Sequence, residues 1–162
     1  MQVWNISAAF TRPNNTTAYS SGNLVANSVT AGSVVPMQLA LGNGFPQGMT
    51  RIVRARLSKS GTSPTNASFR IHLYETNPTP ANGDGAAWST DQAAHWLGNI
   101  DVTSMLAFTD GCMGTGSATA GSEMFLRLAS GKIVYALLEA RAAYTPAANE
   151  VFTLTLEDVS DY

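Results

Sequence analysis

The sequence is short of charge, of cysteine and of histidine. Asp, Glu, Lys and Arg make up 12% of its 162 residues, about half of the roughly 25% usual in soluble domains. Nine basic against eleven acidic side chains leave a net charge of −2. No positive field draws phosphate backbones, so nucleic acid is not an expected partner. A single cysteine, Cys112, excludes an intrachain disulfide and a multi-cysteine zinc site. No apolar run approaches the ~20 residues that cross a bilayer as a helix, and no membrane association is expected. The amino terminus, Met1-Gln2-Val3-Trp4-Asn5, has neither a basic start nor a continuous apolar stretch, so no signal peptide is read and cytoplasmic synthesis is expected.

What is present is an apolar fraction of 44%, well above what disorder requires, in a length suited to one domain spanning residues 1–162. The surface is then rich in Ala, Ser, Thr, Asn and Gly. Two readings follow: hydroxyls and amides solvate an ordinary small domain, or neighbours in an assembly cover much of a surface whose low charge favours association.

Alternation with period two dominates the pattern. Phe69, Ile71 and Leu73 alternate with Arg70, His72 and Tyr74; Val53, Ala55 and Leu57 with Arg54, Arg56 and Ser58; Phe152, Leu154 and Leu156 with two threonines. Each is the signature of a strand with one buried face. The run Ile133–Leu138 is apolar on both faces, as a central strand would be, although a short helix fits the same pattern. Further strands are expected at about Val3–Phe10, Leu24–Val29, Ser33–Leu41 and Glu123–Leu128, the third at an edge or bulge because of Pro36. The turn-rich linkers 59–66 and 144–149 suggest hairpins joining the strands they connect. Thr90–Trp96 is the one candidate helical turn, with Ser89, Thr90 and Asp91 as cap candidates. The segments 76–85 and 110–117 read as long loops. The expected fold class is all-β: an antiparallel β-sandwich, jelly-roll-like, with a small β-barrel as the alternative.

Catalytic constellations are not evident. His72 reads as a solvated or interface histidine on the polar face of a strand beside Arg70, His95 as a packing or contact residue, and Cys112 as an inert thiol with no neighbouring cation. Asn82-Gly83-Asp84-Gly85 has part of a calcium loop but lacks the alternate-position ligand series and its closing glutamate. No phosphate-cradling motif and no Gly-Xaa-Ser-Xaa-Gly is present. No catalytic residue, cofactor or metal is therefore assigned. Arg54 and Arg56, with Arg70 expected beside them across a hairpin and Arg51 on the opposite face, form the one basic cluster; it is either a stripe meeting an acidic partner or a solvated face. Trp88 and Trp96 either stack on sugar rings or pin a long loop to the sandwich. Residues 1–19, containing Trp4, Phe10 and Arg12, read as an extended arm lying on a neighbour or as a first strand and loop.

The stretches Phe69-Arg70-Ile71-His72-Leu73-Tyr74-Glu75, Pro78-Thr79-Pro80-Ala81-Asn82-Gly83-Asp84 with Ala87-Trp88-Ser89, and Tyr135–Pro146 resemble small structural proteins of tailed bacteriophages. The resemblance spans about residues 49–157 and is one of phrasing, with no ligand motif to transfer. It implies a capsid decoration (cement) protein: no enzyme, bound to the major capsid protein on the virion exterior, homo-oligomeric and most often trimeric. The resemblance transfers a role and no site; from the residue readings above, partner contacts are expected among Trp4, Phe10, Arg12, Arg54, Arg56, Arg70, Trp88 and Trp96. The alternative is a carbohydrate-binding module of a phage tail or baseplate.

Overall fold

The computed structural model describes residues 2–41, 48–128 and 132–160; Met1, at the head of the expected arm, lies outside them. Among these residues are eleven strands: β1 (Gln2–Thr11), β2 (Leu24–Val25), β3 (Met37–Ala40), β4 (Gly48–Lys59), β5 (Phe69–Tyr74), β6 (Trp96–Val102), β7 (Leu106–Phe108), β8 (Gly111–Gly116), β9 (Met124–Leu128), β10 (Ile133–Ala140) and β11 (Val151–Ser160). They build two antiparallel sheets that do not close into a barrel, a jelly-roll-like sandwich. The first runs β1-β11-β4-β8-β7, with β9 also paired to β4; the second runs β2-β10-β5-β6, with β3 also paired to β10.

The period-two pattern identifies most core-facing residues, but Val53, expected with Ala55 and Leu57, is only half-buried while Ile52 takes the core, and Tyr74 and His72 on the other face of β5 are covered. Ala55, Leu57, Phe69, Ile71, Leu73, Phe152, Leu154 and Leu156 are all buried between the sheets. Ile133–Ala140 is a strand, and its apolar outer face is explained by coverage: Leu137 packs with Leu24, Ala26 and Tyr74 beneath the partly buried Trp88. Phe152 lies at the centre of the aromatic packing, stacked on Phe10 at 5.6 Å and edge-on to Phe69 at 5.3 Å.

Neither expected hairpin forms. β4 belongs to the first sheet and β5 to the second, and β10 and β11 are divided in the same way. Alternation shows that a strand has a buried face but not which of two facing sheets it joins, so both linkers turn out to cross between layers. They are tied together by a fully buried ion pair. Lys59 Nζ donates to Gly61 O and Ser63 O, both at 2.8 Å, and to Glu150 Oε1 at 3.1 Å, while the Tyr144 hydroxyl also donates to Glu150.

The expected strands at 24–29 and 33–41 are shorter than the pattern suggests: only Leu24–Val25 and Met37–Ala40 pair, and residues 31–33 form a 3-10 turn. The candidate helical turn reduces to a 3-10 turn at Ala93–His95 without a side-chain cap. Its expected cap residues are engaged elsewhere: Asp91 accepts from Thr79 N–H at 2.8 Å, and Thr90 bonds the Tyr74 hydroxyl at 3.1 Å. Within 110–117, read as a loop, β8 forms instead. Its glycines mask the strand signal because glycine is disfavoured in strands, yet close packing demands them: a Cβ on Gly116 would sit 2.2 Å from Asp101 O.

The segment 75–95 folds back over the outer face of the second sheet. Bridges join Ala87 to Asn23 and Pro80 to Thr90, and Trp88 N–H donates to Gly22 O at 2.8 Å. Gly83 is wedged under residues 28–30, where a Cβ would lie 1.9 Å from Val29 O. Gly83→Ala is therefore expected to cost about 1–3 kcal/mol through backbone displacement, measured as a lowered urea midpoint; an unchanged midpoint would show that the loop yields freely.

Candidate functional site

The sites expected from sequence separate into three groups that the fold does not bring together. The first is interior. Arg12 is buried, its side chain 1% exposed and Asp84's 2%. Its Nη2 donates to Asp84 Oδ2 at 2.9 Å, Nη1 donates to Ala147 O at 3.2 Å, and Nε donates to the Tyr19 hydroxyl. The Tyr19 hydroxyl and Ala26 N–H in turn donate to Asp84 Oδ1, at 2.5 and 2.9 Å. Burial, reinforced by the Asp84 charge, raises the Tyr19 pKa far above its ordinary value, so the hydroxyl stays protonated as a donor. Arg12 thus anchors the chain after β1 and offers a partner nothing. Phe10 packs inward against the core, and Trp4 is half-buried opposite Asp158. Residues 2–11 are no free arm: β1 pairs with β11 along its whole length.

The second group occupies the outer face of the first sheet, where large apolar side chains remain uncovered. Leu106, Phe108, Met113 and Val151 lie at one end, and Val3, Met49 and Phe125 at the other, Leu106 being 72% exposed. Cross-strand register lays out the rows between them: Ala9-Thr153-Ser58-Met113-Leu106, then Ser7-Thr155-Arg56-Thr115, then Asn5-Glu157-Arg54. An open groove of about 530 Å³ runs between Ser58, Phe108, Met113, Val151 and Thr153.

Arg54 and Arg56 stand on this face but are already partnered. Arg54 grips Glu157 with two bonds of 2.8 and 2.9 Å, and Arg56 lies 2.9 Å from the same carboxylate, an ion pair without hydrogen-bond alignment. Hydrogen bonding from Arg54 holds the Glu157 carboxyl below its ordinary range. Arg51 was expected on the opposite face, yet it is exposed between the buried Thr50 and Ile52. Register slips there: Glu157 faces Arg54, whereas Asp158 faces Ile52. The extra residue, Val53, shifts the alternation by one, so Arg51 points outward with Arg54 and Arg56.

The third group lies on the other sheet, because Arg70 belongs to β5 and no hairpin carries it beside Arg54. Three rows cross the outer face of the second sheet: Tyr135-Tyr74-Trp96, Leu137-His72-Asn99 and Glu139-Arg70-Asp101. Arg70 is bidentate on Asp101 at 2.7 and 2.8 Å, and this hydrogen bonding lowers the Asp101 pKa. His72, read from sequence as solvated, is buried under Trp88, whose ring stacks on it at 3.9 Å and 13°. His72 Nε2 bonds Glu139 at 2.7 Å, and Arg141 donates to the other Glu139 oxygen at 2.7 Å. Burial, outweighing Glu139, lowers the His72 pKa and keeps the ring neutral. Nothing in the sequence around His72 marks it as covered; the lid comes from sixteen residues farther along the chain. Among the described residues no group of three or more His, Cys, Asp or Glu side chains is placed to hold a metal ion.

No family model matches the chain, and no curated protein matches it. Solved structures that it resembles include the virus-like particle of the giant freshwater prawn (Macrobrachium rosenbergii) extra small virus, at 10% identity over 99% of this chain and 79% of that one, with a TM-score of 0.30. The cyanophage Pam1 capsid asymmetric unit aligns at 9% identity over 97% and 84%, TM-score 0.33. The globular domain of zebrafish complement 1qA protein aligns at 11% over 99% and 98%, TM-score 0.33. At these scores and identities the likenesses assign no function.

Proposed function

We propose that this chain is a virion structural protein of the decoration (cement) type, fixed to the exterior of a capsid shell as a homotrimer and acting by adhesion without catalysis. The observation that carries the adhesive role is the outer face of the first sheet, which gathers Leu106, Phe108, Met113, Val151, Val3, Met49 and Phe125 around rows of Ser and Thr. Exposed apolar surface gathered on one face marks a protein contact. Between its two ends Glu157 pairs with Arg54 and Arg56 but leaves a surplus of positive charge, so the apolar ends supply the packing and the arginine rows favour a partner with acidic groups opposite them. The capsid as partner, and the trimer, rest on the phage-like phrasing of residues 69–89 and 135–146. Binding the assembled shell but not its dissociated subunits stabilises the shell by mass action, and a contact of standard size, about 1,200–2,000 Å², suffices for specific attachment.

The test is add-back to particles of the virus that encodes this chain, after the protein has been stripped from them. Wild-type protein is expected to return in hundreds of copies per particle, and the double variant Leu106→Asp/Phe108→Asp to lose at least about tenfold in occupancy, equal to about 1.4 kcal/mol. Both positions are exposed, so the variant's melting curve should stay close to wild type. Equal occupancy of variant and wild type, or only a few copies at a neck or tail, would overturn the proposal.

A further inference from the structure

The slot between Trp88 and Trp96 is not used by the adhesive face, which lies on the other sheet. It has a volume of about 470 Å³, within the range of small-ligand sites. Its floor is formed by His72, Tyr74 and Asn99, one wall is Trp88, and the other is Trp96 beside the 93–95 turn. Trp88 is explained by its stack on His72, which clamps the 75–95 segment. Trp96 is not explained in this way. It is 45% exposed, and its neighbour His72 is 6.3 Å away and tilted by 43°. An indole left open at the mouth of a slot is a platform for an apolar C–H face.

The polar groups specify what such a ligand carries. Arg70 sits at the slot with its charge matched by Asp101, to which Asn99 also donates at 3.3 Å. The guanidinium spends Nε and Nη2 on that carboxylate and keeps Nη1. The result is an adjacent donor and acceptor without net charge, which fits neighbouring hydroxyls better than an anion. Within the slot lining, His72 Nδ1 and Trp88 Nε1 are buried without hydrogen-bond partners among the described residues. Such groups are costly unless satisfied, and both belong to the His72–Trp88 stack that forms the closed side of the slot.

From this geometry we infer that the slot binds a neutral pyranose residue of a glycan, its apolar face on Trp96 and its hydroxyls on Arg70, Asp101 and Asn99. The test titrates the whole protein with a panel of neutral methyl hexopyranosides and N-acetylhexosaminides, following tryptophan fluorescence and indole N–H chemical shifts. A saturable response to at least one of them is expected. Trp96→Ala should weaken it by about tenfold or more, the equivalent of losing one aromatic contact, and Asn99→Ala should weaken it without altering the melting curve. A response to adenosine stronger than to any sugar, a response that survives Trp96→Ala, or no saturable response across the panel would each overturn the inference. None of these outcomes bears on shell binding, which is read by occupancy on particles.

Discussion

Replacing Asp84 with alanine is expected to lower the free energy of unfolding by about 3–5 kcal/mol, the cost of leaving one half of a buried ion pair uncompensated. The side chain accepts from Arg12, from the Tyr19 hydroxyl and from Ala26 N–H. Without it the Arg12 guanidinium, 1% exposed, keeps only neutral acceptors on residues 15, 19 and 147. Three segments distant in sequence (12–19, 26 and 84) lose their common anchor. The measurement is urea unfolding, read as a shift of midpoint at constant slope. Arg12→Met combined with Asp84→Leu should recover most of the loss, because removing both charges also removes their desolvation penalty. A loss below about 1 kcal/mol in the single variant would put the pair in the class of exposed surface bridges and refute its anchoring role. The same contacts account for Asn82-Gly83-Asp84-Gly85: its carboxylate is turned inward to a guanidinium.

The second large effect concerns Asp158 and depends on pH. It lies on β11 with its side chain directed into the sandwich, 0% exposed, and neither carboxylate oxygen has a hydrogen-bond partner among the described residues. Burial pushes its carboxyl up to about 7, from an ordinary value of 3.8. The folded state therefore holds this proton more tightly than the unfolded chain does. The stability contributed by the neutral carboxyl is whole below pH 3.8 and is lost progressively as pH rises to about 7. Asp158→Asn removes that dependence. Stability at pH 8 should rise by a few kcal/mol, while at pH 4 variant and wild type should nearly coincide. Urea midpoints for both proteins at several values between pH 4 and pH 8 test this, and an equal offset at every pH would contradict it. Asp101 and Glu157 act in the opposite sense. Their carboxyls are depressed by hydrogen bonding from Arg70 and Arg54, so their contribution is present above the ordinary carboxylate range and fades only in stronger acid.

Phe69, Ile71 and Leu73 face the core as their spacing predicts, and so do Phe152, Leu154 and Leu156, because apolar residues two apart share one side of a strand. That the other side of β5, with His72 and Tyr74, is covered as well left no mark in the alternation. The strands with weak signals were those in which tertiary demands override propensity. β8 carries three glycines for close approach to its neighbours, and β7 is a three-residue edge with every side chain exposed. Among the site residues, Arg54 and Arg56 stand on the exposed sheet face and Trp96 is exposed beside a slot. Arg12 is interior instead, and Phe10 is half-buried against the core. Their types, a cation in a polar run and an aromatic near a terminus, are as common at contacts as in buried anchors.

The sequence alone determined the all-β class, the alternation of buried and exposed faces, and the poverty of charge that left an apolar sheet face tolerable. These properties depend on residue type and on neighbours two positions apart, so a linear reading captures them. Only the tertiary structure decided which sheet each strand joins, that a bulge at Val53 turns Arg51 outward, and that Trp88 closes over His72. Each of these depends on contacts between segments far apart in the chain, whose partners are selected by the packing of the whole sandwich and leave no periodic trace in either segment.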